Sequence, residues 1–283
     1  MKNLNRLISS VYQTPHYISK ISLGNILDYL ENRTSLELSD TQLEKCDTNI
    51  FLSKGISVIN VDGALTHKPV KGVCGEVAGC SYTGLLKEVE YSIESGASTI
   101  VLDISSPGGQ ASHIGEYAQE IRNICDTTGT SLIAYVDEMA CSAAYWLACI
   151  CDEVIANPDA ITGSIGAVVA LTDVSKAMDN AGVKRVFITS GSSKVPFAED
   201  GSFKQEFLTK IQKDVDMLND KFAEHVSKYT GLAVEDIKAL NAETFNADEA
   251  LEIGLINSIM TNSEFAAYIS AKHKAKTKGA INA

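Results

Sequence analysis

Between Gly55 and Thr189, short β-branched runs alternate with segments of helical period, and this alternation limits the fold more than any other feature of the chain. "GISVINVDG" (55–63), "STIVLDI" (98–104), "SLIAYV" (131–136), "DEVIAN" (152–157), "GAVVALT" (166–172) and "KRVFIT" (184–189) read as strands. Between them, Leu85, Leu86, Val89 and Ile93 share one helix face, and Ile114, Tyr117, Ile121 and Ile124 share another. Shorter helices are expected near Ser142 and over 174–182. Parallel neighbours need a crossover between them, usually a helix, so the prediction is an α/β domain with a mostly parallel sheet.

The last third reads as helical. Phe207, Ile211, Val215, Leu218, Phe222 and Val226 recur at spacings of four or three, which predicts a long amphipathic helix from near Lys204. Its stripe has the makings of core or of a contact between subunits. Helices around 233–240 and 247–253 and the apolar "GLINSIM" follow. Residues 1–50, with helical patches such as "LGNILDYLENR", read as an N-terminal extension; 51–262 is the main domain. Residues 263–283, with Lys272, His273, Lys274, Lys276 and Lys278, read as a basic, solvated C-terminal tail. The glycine-rich stretch 62–81 has no period and reads as a long loop, a frequent site of function.

Net charge is −12, which argues against nucleic acid as a partner, since phosphate binding needs a basic face. No run reaches the roughly 18 apolar residues of a membrane-spanning helix. Lys2 and Arg6 are not followed by the apolar core of about 7–15 residues that marks a signal peptide, so a cytoplasmic location is expected. The seven cysteines are odd in number and irregularly spaced, as reduced and mostly buried thiols are. Cys149 and Cys151 lie one residue apart and no Cys-x-x-Cys occurs, so no zinc site is expected, and no metal is assigned to the chain.

Four stretches could carry chemistry. In "DISSPGGQAS" (103–112) a strand enters a Pro-Gly-Gly turn, where glycines free backbone N–H groups to point at a developing oxyanion. In "MACSAAYW" (139–146), Ser142 opens a helix among small residues, near the positive end of its dipole. The N–H of Ala143 could then join that of Gly109 in an oxyanion hole. In "TGSIGAVV" (162–169), Ser164 sits between glycines and could hold an amine by a hydrogen bond. In "ITSGSSKVPF" (188–197), a strand gives way to a turn carrying Lys194. Each has a plainer reading as a turn, a helix cap or a surface lysine.

A serine nucleophile needs a base. No histidine lies between Ser142 and His225, which counts against the usual order of a Ser-His-Asp arrangement, and His113 beside the glycine turn is the one rival. A lysine of ordinary pKa is charged at neutral pH, and becomes a base only if burial depresses that pKa by roughly three units. Val195, Pro196 and Phe197 are the right kind of surroundings for such burial.

Together and in this order, Ser106–Gly109, Met139–Trp146, Thr162–Gly166 and Ser190–Lys194 resemble the motifs of the S49 family of serine peptidases, the signal peptide peptidase A group. The resemblance runs from about residue 55 to 260. Ala143 and Ala144 replace paired glycines, Trp146 a tyrosine and Cys141 an alanine. It implies a Clp/crotonase-like fold, with Ser142 as nucleophile, Lys194 as general base, Ser164 orienting Lys194, and the N–H groups of Gly109 and Ala143 as the oxyanion hole. It also implies a homo-oligomer with no cofactor. The flanking "TPHYISKISLGNILDYLENR" and "HVSKYTGLAVEDIKAL" resemble capsid assembly (prohead) proteases of tailed phages, which implies scaffold and capsid proteins as substrates. A crotonase-type acyl-CoA enzyme, an inactive structural module and a cytoplasmic cellular relative are the alternatives.

Overall fold

The computed structural model describes residues 16–18, 51–53, 55–70 and 79–281. The "LGNILDYLENR" helical patch and residues 71–78 of the expected loop lie outside the described residues.

A mostly parallel sheet organises the chain. It runs β11 (Thr244–Asn246), β10 (Ile161–Gly163), β8 (Ser131–Cys141), β6 (Thr99–Ser106), β3 (Ile56–Asp62), β2 (Phe51–Ser53), with β9 (Glu153–Ala156) on β8 and β12 (Ser258–Ile259) on β9. β3, β6, β8, β9, β10 and β12 pair in parallel; β2 and β11 are antiparallel. The period-2 pattern sets two cores. Ile59, Val61, Ile100, Leu102, Ile104, Leu132, Ala134 and Val136 face one side, and Val101, Ile133, Tyr135 and Ile155 face the other.

Over the first face lie α1 (Tyr82–Glu94), α2 (Ile114–Thr128) and α3 (Ala143–Ala148), with buried Phe222, Ala223 and Val226 from the end of a long helix. A second sheet, in the order β1 (His16–Ile18), β7 (Gly108–Gln110), β4 (Leu65–Thr66), β5 (Cys80–Ser81), is built from the glycine turn and the ends of the expected long loop.

β8 is longer than its expected six-residue core and changes partners along its length. Ile133–Val136 pair with β9, and Met139–Cys141 pair with β10. The register against β6 shifts between Ile104 and Ser105, where Asp137 and Glu138 have no ladder partner on β6. The far end of β8 is thereby re-aimed toward β10.

Two expected strands do not form. Residues 166–172 and 184–189 are irregular, apart from an isolated bridge at Val168. They flank α4 (Ser175–Asn180) in an arm where Val186 is 75% and Ile188 98% exposed. β-branched residues record a wish to be paired and covered, and a lone strand with no ladder partner has no stability in water. The arm returns to α5 (Gln205–Thr230) through a row of rings: Phe187–Phe197 at 6.1 Å, Phe197–Phe203 at 5.1 Å and Phe203–Phe207 at 5.7 Å.

The C-terminal third is helical as expected. After α5 come α6 (Val234–Ala239), α7 (Ala247–Ile253) and α8 (Asn262–Ile281). The basic stretch expected as a solvated tail is the end of α8. Phe265 and Ile269 of this helix pack on the second sheet face, His273 is buried, and Lys272 is ion-paired with Glu153. Among the described residues no helix is long and apolar enough to cross a membrane.

Candidate active site

Ser142 stands where β8 leaves the sheet and α3 begins. Its backbone is at φ 57° and ψ −119°, a left-handed conformation that a non-glycine residue holds only when its surroundings force it. Those surroundings are visible. The Ser142 N–H donates to the Gly163 carbonyl at 2.8 Å, and the Ser142 carbonyl accepts from the Trp146 N–H at 3.0 Å, closing the first turn of α3. All six residues of α3 are buried, and Ala140, Ala143 and Ala144 are small enough to let the chain reverse direction there. The hydroxyl lies 3.5 Å from the Gly166 carbonyl, long for an O–H···O bond, so it is loosely held. Ser142 has no exposed surface. Burial pushes the adjacent Cys141 thiol up to about 12, which leaves it inert at neutral pH.

Beside Ser142 the "TGSIG" turn takes the chain out of β10. Gly163 has φ 106°, and a Cβ there would lie 2.8 Å from the Glu243 carbonyl oxygen. Ser164 follows at φ 52°, buried, with its N–H donating to the same carbonyl at 2.7 Å. The connection before β11 therefore fixes the position of Ser164. That role of Glu243 belongs to its backbone and has no sequence signal.

The glycine turn faces α3, since β7 packs against that helix. Gly109 lies so close to β4 that a Cβ would sit 1.9 Å from the Leu65 carbonyl oxygen; only glycine fits. The Ser106 hydroxyl donates to the Gly63 carbonyl at 2.6 Å and accepts from the Gly108 N–H at 3.2 Å. The Tyr82 hydroxyl donates to the Gln110 carbonyl at 2.5 Å, and the Gln110 side-chain oxygen accepts from the His67 N–H at 2.8 Å. Sequence reading assigned no role to Ser106, Tyr82 or Gln110. Only Ser106 carried a signal, as the first residue of Ser-Pro-Gly-Gly. The backbones of Gly109 and Ala143 thus stand on facing elements, and the first N–H groups of α3 have no partner within the helix.

Lys194 is not brought to Ser142 by any contact among the described residues. It ends a short 3₁₀ turn, Ser192–Lys194, in the arm, and its side chain is exposed. Val195, Pro196 and Phe197 are only half-buried, so the expected dry setting is not provided within the single chain.

Three of the histidines are engaged elsewhere. His113 pairs with Glu116 at 3.1 Å and stacks on His67 with ring centres 4.0 Å apart. His67 is held below the usual imidazole range by desolvation and then by His113. His225 stacks on Trp146 at 4.2 Å and donates its Nε2–H to the Trp146 carbonyl at 3.1 Å; burial pushes it down to about 4. Among the described residues no cluster of His, Cys, Asp and Glu could hold a metal ion.

A largely parallel α/β sheet with a serine on a strained strand-to-helix turn, facing a glycine strand, defines the Clp/crotonase-like class. The model of Peptidase family S49 matches residues 126–277, and the chain belongs to that family. The chain is 28% identical over 231 residues to the head-tail preconnector protein GP5 of Enterobacteria phage P21, covering 80% of this chain and 44% of that protein. It is 27% identical over 216 residues to the capsid assembly protease C of Escherichia phage lambda, covering 74% and 47%. The probable protease SohB of Haemophilus influenzae is 24% identical over 193 residues, covering 68% and 54%. The chain spans about half the length of these curated relatives.

Proposed function

We propose that the chain is a serine endopeptidase in which Ser142 and Lys194 form the catalytic dyad, acting in phage head maturation on scaffold and capsid proteins. The observation that carries the reading is the strained, buried Ser142 at the β8–α3 turn in a chain of family S49. Neutral Lys194 takes the Ser142 hydroxyl proton as Oγ attacks the peptide carbonyl. The oxyanion is held by the N–H groups of Gly109 and Ala143. The intermediate then collapses, the leaving amine takes the proton back from Lys194, and water hydrolyses the acyl-enzyme. Ser164 orients the amine of Lys194. No cofactor enters.

A lysine base needs a water-poor setting, and the isolated chain leaves Lys194 exposed. The same arm exposes Val183, Val186, Phe187 and Ile188. Association of copies through the arm would cover both, so the active form is a homo-oligomer, with residues 51–262 as its catalytic unit. Enclosure of Ser142 would admit extended segments and spare folded shells. Ala143, Ala144, Gly108 and Gly109 crowd the site, so short residues such as Ala, Gly or Ser are preferred before the cut bond. The setting is the host cytoplasm, including the assembling prohead. The names of the phage P21 and lambda relatives support the viral assignment, and that of SohB supports a cellular protease as the second reading.

Co-expression with phage scaffold and capsid proteins separates the two. Fragments that end in small residues and vanish with Ser142→Ala are expected. Intact scaffold and capsid chains, with cleavage of a membrane-inserted signal peptide instead, would favour the cellular reading.

A further inference from the structure

β7 has two edges. One is filled by β4, in parallel, with Leu65 opposite Gly109. The other is filled by three residues from far upstream in the chain: β1 runs antiparallel to β7, with His16 opposite Gln110, Tyr17 opposite Gly109 and Ile18 opposite Gly108. Residues 1–15 and 19–50, on either side of β1, are outside the described structure, so β1 is characterised by this pairing alone.

The edge that β1 covers suits a peptide. Gly108 and Gly109 present backbone with no side chain in the way, Ser106, Tyr82 and Gln110 hold that backbone in place, and β7 packs against the helix that Ser142 opens. An extended segment adding to a strand edge is bound through its main chain whatever its sequence, which an endopeptidase needs. Ser142 itself has no exposed surface in this arrangement, so something has to move before a peptide carbonyl can reach it.

From this geometry we infer that His16–Ile18 is an intramolecular occupant of the site for the substrate's backbone, a strap that holds the enzyme closed until a substrate strand displaces it. The inference rests on the peptidase reading and adds two things to it. The bound peptide runs antiparallel to β7, and the chain's own N-terminal segment competes with it. The apparent affinity for substrate is then the intrinsic affinity reduced by the fraction of molecules whose strap is off.

The test uses the full chain with Tyr17→Pro and Ile18→Pro together. In an antiparallel pair alternate residues donate to the partner strand, so replacing both neighbours removes at least one donor whichever alternation holds. With the strap closed in nine molecules of ten, its release lowers KM for an extended peptide about tenfold while kcat stays level. Independently of turnover, a fluorescent peptide of residues 11–22 is expected to bind the proline variant in a Ser142→Ala background, and to bind Ser142→Ala alone at least about tenfold more weakly. Equal KM and equal peptide binding, in a proline variant whose Ser142 still reacts with a fluorophosphonate, would overturn the strap and leave the peptidase reading standing. A folded proline variant that neither reacts with the fluorophosphonate nor cleaves peptide would overturn the peptidase reading and the strap with it.

Discussion

The N–H of Ser142 donates to the carbonyl of Gly163 at 2.8 Å, and this bond ties the ends of β8 and β10 together where both leave the sheet. The strained turn at Ser142 therefore depends on a second left-handed residue, Gly163 at φ 106°. Replacement of Gly163 by alanine adds backbone strain and a Cβ at 2.8 Å from the Glu243 oxygen. Gly163→Ala is expected to lower stability by about 2–4 kcal/mol and to abolish cleavage. Urea unfolding and peptide turnover check both outcomes; wild-type stability would show that the turn does not need the left-handed glycine.

Lys194 is exposed in the single chain, so its removal is expected to change stability by no more than about 0.5 kcal/mol while abolishing cleavage. A protonated amine cannot accept the serine proton, so cleavage by the wild type falls as pH falls. A pH–rate profile that is flat between about pH 6 and 10 would exclude this base; near-normal turnover by Lys194→Ala would exclude it and return attention to His113.

The exposed apolar arm gives a prediction that needs no substrate. Val186→Glu with Ile188→Glu is expected to yield monomers by sedimentation, with little change in thermal stability and little cleavage. The wild type is expected to associate, with specific activity rising with protein concentration as the complex forms. A wild-type monomer at high micromolar concentration with full activity would contradict the proposal that association completes the site.

Much of this was legible in the sequence. β3 alternates buried and half-buried residues, while β6, β8 and β9 are continuous apolar runs because both of their faces are covered, and the small residues around Ser142 mark a tight strand-to-helix turn. The misses have physical reasons. "KRVFIT" reads as a strand because its residue types favour burial, but a strand also needs a neighbour, and the single chain offers none. The basic C-terminal stretch reads as a tail because its lysines mask the apolar contacts of Phe265 and Ile269 on the same helix. β1 is three residues long, too short for any period to show. Ser106, Tyr82 and Gln110 act through hydrogen bonds to backbone, which no spacing announces.

The second sheet face carries its own pH dependence. Asp103 on β6 is raised to about 6 by burial first, then by Asp137 and Asp62; Asp62 is itself raised by burial and by Glu138 and Asp137. A carboxyl whose folded pKa lies above its unfolded value contributes stability that is complete below the unfolded pKa, near 4, and lost as pH climbs through the folded one. Asp103→Asn is therefore expected to raise the melting temperature by about 2–4 °C at pH 8, a modest gain because the group is partly solvated. The gain should vanish near pH 4. An equal gain at both pH values would mean that the charge on Asp103 is not its cause.

The most direct measurement is the site and rate of labelling by a fluorophosphonate, read by peptide mass spectrometry. One adduct on Ser142 is predicted, absent from Ser142→Ala and slowed by at least about a hundredfold in Lys194→Ala, the scale that a general base contributes. An adduct on any other residue, or labelling of Lys194→Ala at the wild-type rate, would contradict the dyad.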